Sequence, residues 1–278
     1  MKKVIRTSLV LLAIILCRQT MAADVAVYHN NDNLIMQSYY DGAPPDIRVE
    51  TLNTRYGTNS ILVTGLNGTT INGSSSLVTP FPAGNIAIEL FADETGNLEL
   101  RNLNLKGKSG DLHVFTNTHI VMDSVKSGSY SDINVIGEHN IDLYNCYARR
   151  DLYIWQYNEA SRDQRYIFVE QSGVDGDLIV DGGAASNYLR VKSCFVRKVA
   201  DVNLGAAKDY AYLTDSMIEV TDVRMGSGDD YAFVSEWWSN NVLIDGGLGL
   251  EDKIDEGTGN PFPLNTWNAP NFEYYPWN

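Results

Sequence analysis

The stretch from Asp201 to Asp230, DVNLGAAKDYAYLTDSMIEVTDVRMGSGDD, decides the fold because it contains two copies of one sequence pattern. Asp201-Val-Asn-Leu204 comes back as Asp222-Val-Arg-Met225, and the loop Gly205–Asp209 comes back as Gly226–Asp230. Each Asp-apolar-x-apolar segment is a strand signal of period two. Working outward along the chain, the same segment begins at Asp111, Asp132, Asp151 and Asp177, and in a last copy at Asn241.

A second strand recurs between these segments. The copies of this strand are aligned on one residue in each, called the anchor and given at the end of this paragraph. The residues three and five positions before the anchor are apolar in every copy except for His119, so both columns are expected to face a common core. His119 is therefore predicted to be a core histidine. The residue just before the anchor is always polar, which is typical of a turn at a strand end or of a hydrogen-bonded ladder. The anchor column is Leu103, Ser124, Cys146, Ser172, Cys194, Ser216 and Trp237, at spacings of 21 to 26 residues.

This period predicts an all-β chain folded as a right-handed parallel β-helix. A propeller blade needs about 40 residues, and no helical periodicity is present. Because Cys146 and Cys194 occupy one column two coils apart, they would lie about 9.6 Å from each other. A disulfide needs Cα atoms within about 7 Å, so both are predicted to be buried free thiols.

The two ends of the chain differ in composition from the repeats between them. Residues 1–22, with Lys2 and Lys3 before an apolar run, have the form of a secretory signal peptide. The protein is therefore expected outside the cell or on its surface, without a transmembrane segment after cleavage. Residues 23–96 are predicted to form an N-terminal cap and first coils, 97–255 the regular coils, and 256–278 an aromatic, proline-rich capping tail. The net charge of −14 argues against nucleic-acid partners.

Three runs, Ile179-Val-Asp-Gly-Gly183, Met225-Gly-Ser-Gly-Asp-Asp230 and Ile244-Asp-Gly-Gly-Leu-Gly249, resemble those of exported bacterial proteins of the right-handed parallel β-helix, or pectate-lyase-like, superfamily. That superfamily contains polysaccharide-cleaving enzymes, adhesins and structural surface proteins. The resemblance therefore implies a fold and leaves the function open.

The glycine loops allow two interpretations. Asp229, Asp230, Asp245 and Asp252 stand in loops that look like degenerate forms of a calcium-binding Gly-Gly-x-Gly-x-Asp repeat, so Ca²⁺ is a candidate cofactor. Glycine and aspartate are equally what a tight turn between coils requires.

Aromatic side chains indicate a ligand-binding surface. One column has tyrosine in four successive copies, and these rings are expected to stack about 4.8 Å apart. The longest coil carries an insertion from Gln156 to Arg165, and insertions in repeat proteins project from one face. Such a ladder equally stabilises the coils themselves. The candidate ligand-binding residues are Trp155, Arg162, Arg165, Tyr166, Tyr188, Tyr210 and Tyr231.

A complete structural repeat without a recognisable catalytic set predicts a non-catalytic protein with a structural, adhesive or glycan-binding role. Its expected partner is a polysaccharide or a component of the cell surface or matrix. The alternative is a polysaccharide lyase or glycoside hydrolase acting near the insertion, which requires converging carboxyl groups.

Overall fold

The computed structural model describes residues 23–38, 43–52, 60–91, 95–105, 109–157, 164–249 and 251–257, and the backbone of 273–274. Over this part the chain is an all-β parallel solenoid of about seven turns, which confirms the predicted parallel β-helix. No helix in the described ranges is long and apolar enough to cross a membrane. The predicted signal peptide, Arg162 and most of the aromatic tail lie outside the described residues.

The strands are short and follow one another closely. They are β1 (Asp24–Asn30), β2 (Asn33–Ser38), β3 (Asp46–Leu52), β4 (Ser60–Gly65), β5 (Thr70–Ile71), β6 (Ser76–Pro80), β7 (Ile86–Leu90), β8 (Asn97–Arg101), β9 (Leu112–Thr116), β10 (His119–Asp123), β11 (Ile133–Gly137), β12 (Ile141–Tyr144), β13 (Tyr147–Ala148), β14 (Leu152–Gln156), β15 (Arg165–Glu170), β16 (Gly173–Val174), β17 (Leu178–Asp181), β18 (Asn187–Lys192), β19 (Phe195–Asn203), β20 (Tyr210–Thr214), β21 (Met217–Arg224), β22 (Tyr231–Ser235), β23 (Trp238–Asp245), β24 (Lys253–Glu256) and β25 (Glu273–Tyr274).

These strands form two sheets that enclose the core. Sheet 1 has 13 strands and contains β7, β9, β11, β14, β17, β19, β21 and β23, while sheet 2 has 12 strands and contains β8, β10, β12, β15, β18, β20, β22 and β24. Neighbouring coils pair in parallel, whereas β1 with β2, and β3 and β6 with β4, pair antiparallel near the N-terminus. At the other end β25 pairs in parallel with β24.

Each regular coil turns sharply where its sheet 2 strand ends. The turning residue has a positive φ in all seven copies, and a left-handed backbone redirects the chain within one residue. This confirms that the column of polar residues marks a turn. After the turn the chain passes through a short corner strand, such as β16 or the first residues of β19, into sheet 1. The seven turning residues are Asn102, Ser124, Asn145, Gln171, Ser193, Asp215 and Glu236.

The predicted register is wrong by one residue in the second copy. Leu98 pairs with Ile120, and Leu100 pairs with Met122, so His119 and Val121 lie on the outer face and are only partly buried. His119 is therefore not a core histidine, and Val125 replaces Ser124 in the anchor column. Slipping a strand by one residue moves every side chain to the other face, and this register buries two large apolar side chains.

The recurrent aspartates have a structural role that the repeat alone did not reveal. The Oδ1 atom of Asp111 accepts the backbone N–H of Asp132 in the next coil at 2.8 Å, and Asp132 and Asp151 do the same for Asp151 and Asp177. Asp201 and Asp222 are not members of this ladder. Val199 occupies the equivalent position, because Leu178 pairs with Ala200 and Asp201 therefore pairs with Ile179, two residues further along.

The anchor column packs inside the solenoid. Cys146 and Cys194 are both buried and unpaired, as predicted, with Ser172 between them in the column. The Ser172 hydroxyl accepts the Cys146 N–H at 3.1 Å and donates to the Glu170 carbonyl at 2.8 Å. Burial raises the pKa of the Cys146 thiol to about 12 and that of Cys194 to about 11.

Candidate functional site

The outer face of sheet 2 carries an aromatic patch across four successive coils. Tyr166, Tyr188, Tyr210 and Tyr231 pair residue by residue, so the predicted tyrosine column exists. A second outward column lies two residues further along each strand, because side chains at this spacing share a face. We call these eight positions the tyrosine face: Tyr166, Tyr188, Tyr210 and Tyr231 with Phe168, Arg190, Tyr212 and Phe233.

The rings of the tyrosine face contact one another along and across the columns. The centroids of Tyr188 and Tyr212 lie 4.9 Å apart with an interplanar angle of 18°, which is a stacked pair. Along the first column, Tyr188 lies 5.7 Å from Tyr166 and 6.3 Å from Tyr210. All of these rings remain partly exposed, so the patch is a continuous surface and not a closed core.

The hydroxyl groups at the centre of the tyrosine face are directed to solvent. Those of Tyr188, Tyr210 and Tyr212 make no hydrogen bond within the part of the chain that the structure describes. At the C-terminal edge, by contrast, Tyr231 donates to Asp255 at 2.6 Å. Burial and that hydrogen bond raise the pKa of Tyr231, and burial with the neighbouring rings raises the pKa of Tyr212, so these two hydroxyls stay protonated near pH 7.

Charged side chains lie within and beside the tyrosine face and make local contacts. Arg190 lies over the Phe168 ring at 4.3 Å from its centroid and forms an ion pair with Glu170. Lys208 lies 5.4 Å from the centroid of Tyr210. The tyrosine face is therefore mainly aromatic, and one neighbouring acid, Glu170, is already paired to a cation.

Arg165 is engaged at the corner where β15 begins. Its guanidinium donates to Nδ1 of His139 at 2.9 Å, and Nε2 of His139 bonds the Thr95 hydroxyl at 2.8 Å. Burial lowers the pKa of His139 to about 4, helped by the charge of Arg165 and by His119, so the ring is neutral near pH 7 and accepts this bond. Arg165 thus borders the tyrosine face while fixing the corner.

Trp155 does not join the tyrosines. It lies on the outer face of sheet 1, where it is 47% exposed and meets Tyr157 edge to face at a centroid distance of 6.2 Å. The structure therefore divides the candidate binding residues between two faces. Arg162 lies outside the described residues.

The candidate calcium ligands do not converge on one point. Asp230 and Asp252 are buried, and their Oδ1 atoms accept the backbone N–H groups of Asp209 and Asp230 at 2.8 Å. Asp245 accepts the N–H of Gly247 within its own turn, and Asp229 accepts that of Glu251 at 3.3 Å. Across the described ranges, no group of three or more His, Cys, Asp or Glu side chains has a geometry that holds a metal ion. This arrangement favours the turn interpretation.

The glycine loops pack coil against coil. Gly205, Gly226 and Gly247 all have positive φ, and a Cβ atom on Gly226 would lie 1.8 Å from the Gly205 carbonyl oxygen. Only glycine allows this approach. Beside them Asp209 is fully buried, and burial raises its pKa to about 8, while that of Asp230 is raised to about 6.

Sequence reasoning missed half of the tyrosine face. Phe168, Tyr212 and Phe233 stand four residues before the anchor in their copies, between the two core columns. Alternation along a strand places that position outside, so the column was available in the sequence.

The chain was compared with protein-family models, with characterised proteins and with solved structures. None of the three comparisons finds a match.

Proposed function

We propose that this chain is an exported, non-catalytic β-solenoid that binds carbohydrate through the tyrosine face, in a structural or adhesive role at or beyond the cell surface. The observation that carries the proposal is the continuous outward aromatic patch over four coils. Sugar rings present apolar faces that stack on aromatic rings, and their hydroxyl groups bond to side chains at the rim. The export assignment depends on residues 1–22.

The shape of the patch favours a flat ligand. Rings that repeat in register on a parallel sheet form a plane, since successive coils lie about 4.8 Å apart. An ordered polysaccharide surface, in which many sugar rings lie side by side, is complementary to such a plane. The unsatisfied hydroxyls of Tyr188, Tyr210 and Tyr212, each without a hydrogen bond to a described residue, are available to that surface.

Pairing of two nearby acids, Glu170 and Asp255, favours binding over catalysis. Glu170 pairs with Arg190, and Asp255 accepts from Tyr231. A glycosidase needs one carboxyl group to donate a proton and a second to act as base or nucleophile. The Glu170 and Asp255 carboxyl groups are instead held by neighbouring side chains, while a third nearby acid, Asp142, pairs in register with Phe168 and has its pKa raised by burial and by the charge of Glu170.

The test is adsorption of the purified protein to insoluble polysaccharides: cellulose, chitin, xylan and β-1,3-glucan. We expect saturable binding to at least one of them, and at least a tenfold weaker affinity for the double variant Tyr188→Ser/Tyr212→Ser. A tenfold loss of affinity corresponds to about 1.4 kcal/mol, which is less than the ~1.5–3 kcal/mol that full burial of one large apolar side chain contributes.

Trp155→Ala is the matched control, because it removes an exposed aromatic ring from the other sheet. Melting temperatures of all variants show whether the solenoid is intact. The proposal fails if no polysaccharide adsorbs the protein, or if the control loses as much affinity as a folded double variant.

A further inference from the structure

A groove runs along the corner of the solenoid, outside the tyrosine face. Its C-terminal part has a volume of about 580 Å³ and extends from Gln171 to Trp238. Its N-terminal part, of about 390 Å³, extends from Lys126 to Gly173. Both parts are lined by Gln171 and Gly173, so they adjoin each other along the corner and together cross successive coils.

One wall of this corner groove is a column of hydrogen-bonding side chains. Its members are the turning residues, each with a positive φ near 50°, which places every side chain at the same point of its coil. The wall presents amide, hydroxyl and carboxyl groups, one from each coil. It consists of Asn145, Gln171, Ser193, Asp215 and Glu236.

The opposite wall is apolar and unusually exposed. Phe195, Met217 and Trp238 pair in register at the start of β19, β21 and β23, with exposures of 41%, 56% and 53%. Tyr147 extends this column beyond Gly173, where a Cβ atom would lie 2.7 Å from the tyrosine ring. Glycine at this position therefore leaves room for the ring, and the wall stays continuous.

The spacing of the walls matches an extended sugar chain. Four coil steps separate Tyr147 from Trp238, a length of about 19 Å at ~4.8 Å per step. One pyranose residue of an extended β-linked chain advances by about one such step. Phe195 and Trp238 lie two steps apart, and alternate residues of such a chain turn the same ring face to one side.

The C-terminal part of the corner groove carries two acids, whereas Lys126 and Arg149 line its N-terminal part. Asp215 and Glu236 belong to adjacent coils, and the pKa of Glu236 is raised because its protonated form donates a hydrogen bond to the Asp215 carboxylate and because the Asp215 charge is close. No Lys or Arg in the described ranges forms an ion pair with either carboxyl group. Uronate or sulfate groups would be repelled at this acidic end of the groove, whereas sugar hydroxyls would donate to the carboxyl oxygens there.

We propose that the corner groove is a second carbohydrate site, which binds a single soluble chain of a neutral β-linked polysaccharide with one sugar residue on each coil. Hydroxyl groups along one edge of the chain bond to the polar wall. Ring faces pack on Phe195 and Trp238. This site differs from the tyrosine face in accepting one chain and not a flat surface.

Isothermal titration calorimetry tests the site with β-1,4-linked glucose, N-acetylglucosamine and mannose oligosaccharides of increasing length, and with oligogalacturonate as the anionic probe. We expect one neutral series to bind with an affinity that rises to a length of about five residues, the number of rungs in the groove. Oligogalacturonate is expected to bind at least tenfold more weakly.

Two variants locate the binding. Phe195→Ala/Trp238→Ala, at exposed positions, is expected to weaken the best oligosaccharide at least tenfold, and Asp215→Asn/Glu236→Gln to reduce the preference for neutral chains. The tyrosine-face variant Tyr188→Ser/Tyr212→Ser should retain full affinity for these soluble chains.

Three outcomes overturn the inference: no neutral oligosaccharide binds at millimolar concentration, affinity does not depend on chain length, or the corner variant binds as tightly as the wild type. If soluble chains are lost only in the tyrosine-face variant, this second site is wrong while the proposed function stands. If soluble oligosaccharides bind as expected but the protein does not adsorb to any insoluble polysaccharide, the corner groove stands as a site and the proposed role of the tyrosine face is wrong.

Discussion

Replacing Gly226 by alanine tests how closely the coils stack. Gly226 has φ of 99°, and a Cβ atom there would lie 1.8 Å from the Gly205 carbonyl oxygen, more than 1 Å inside the shortest normal contact. The same oxygen accepts the N–H of Ser227 at 3.1 Å, so relieving the clash breaks a bond between coils. Backbone strain of about 1–3 kcal/mol and a lost hydrogen bond of about 1 kcal/mol, added to displaced packing, predict a loss of ~3–5 kcal/mol.

Gly68 supplies a matched control. Its φ of 90° is nearly the same, but no atom lies within 4 Å of the position where its Cβ would be. Gly68→Ala therefore carries the backbone strain alone, about 1–2 kcal/mol. The measurement is urea unfolding followed by circular dichroism. Equal losses of unfolding free energy in the two variants would refute close coil stacking at the glycine turns.

Three further predictions follow from buried polar groups. Because the pKa of Asp209 is raised to about 8 in the fold, its contribution to stability is complete below pH 4 and is lost as the pH rises through 8. Melting curves should show a loss of ~3 kcal/mol between pH 5 and pH 8 from Asp209, which Asp209→Asn removes, leaving the smaller pH dependence of Asp230, whose pKa is raised to about 6; a pH-independent wild type contradicts this. Cys146 and Cys194 should resist a thiol reagent in the folded protein and both react after unfolding; a missing thiol would reveal a disulfide. A chelator should leave the melting temperature unchanged, because Asp230 and Asp252 already bond backbone N–H groups, and a lower temperature would restore the calcium interpretation.

The period of the repeat was sufficient to predict the parallel β-helix and the tyrosine column. It was insufficient in the second copy, where Ile120, Val121 and Met122 are all apolar and alternation is consistent with either register. The pairing of β10 with β8 sets that register. It depends on residues about one coil away in the sequence, which local alternation does not take into account. Local patterns there remain compatible with both faces.

In the candidate site, too, some features could be predicted from the sequence and others could not. The four tyrosines follow from column counting, whereas their contacts with Tyr212 and Phe168 depend on how the rings lean between columns. Trp237 and Trp238 are adjacent in sequence, yet Trp237 is buried and donates to Thr221 at 3.1 Å while Trp238 forms a wall of the corner groove. The alternation of a strand predicts that such neighbours lie on opposite faces. Which of the two is exposed depends on how the chain turns at the corner between sheet 2 and sheet 1.

The tyrosine face is tested most directly by hydroxyl-radical footprinting of the protein bound to the polysaccharide that adsorbs it. We predict that Tyr188, Tyr210 and Tyr212 become protected on binding, while Tyr130, which is 88% exposed and lies outside the tyrosine face, reacts as before. Unchanged reactivity of the three tyrosines in the bound protein, with protection at Trp155 or Tyr130 instead, would contradict the assignment of this face as the binding surface.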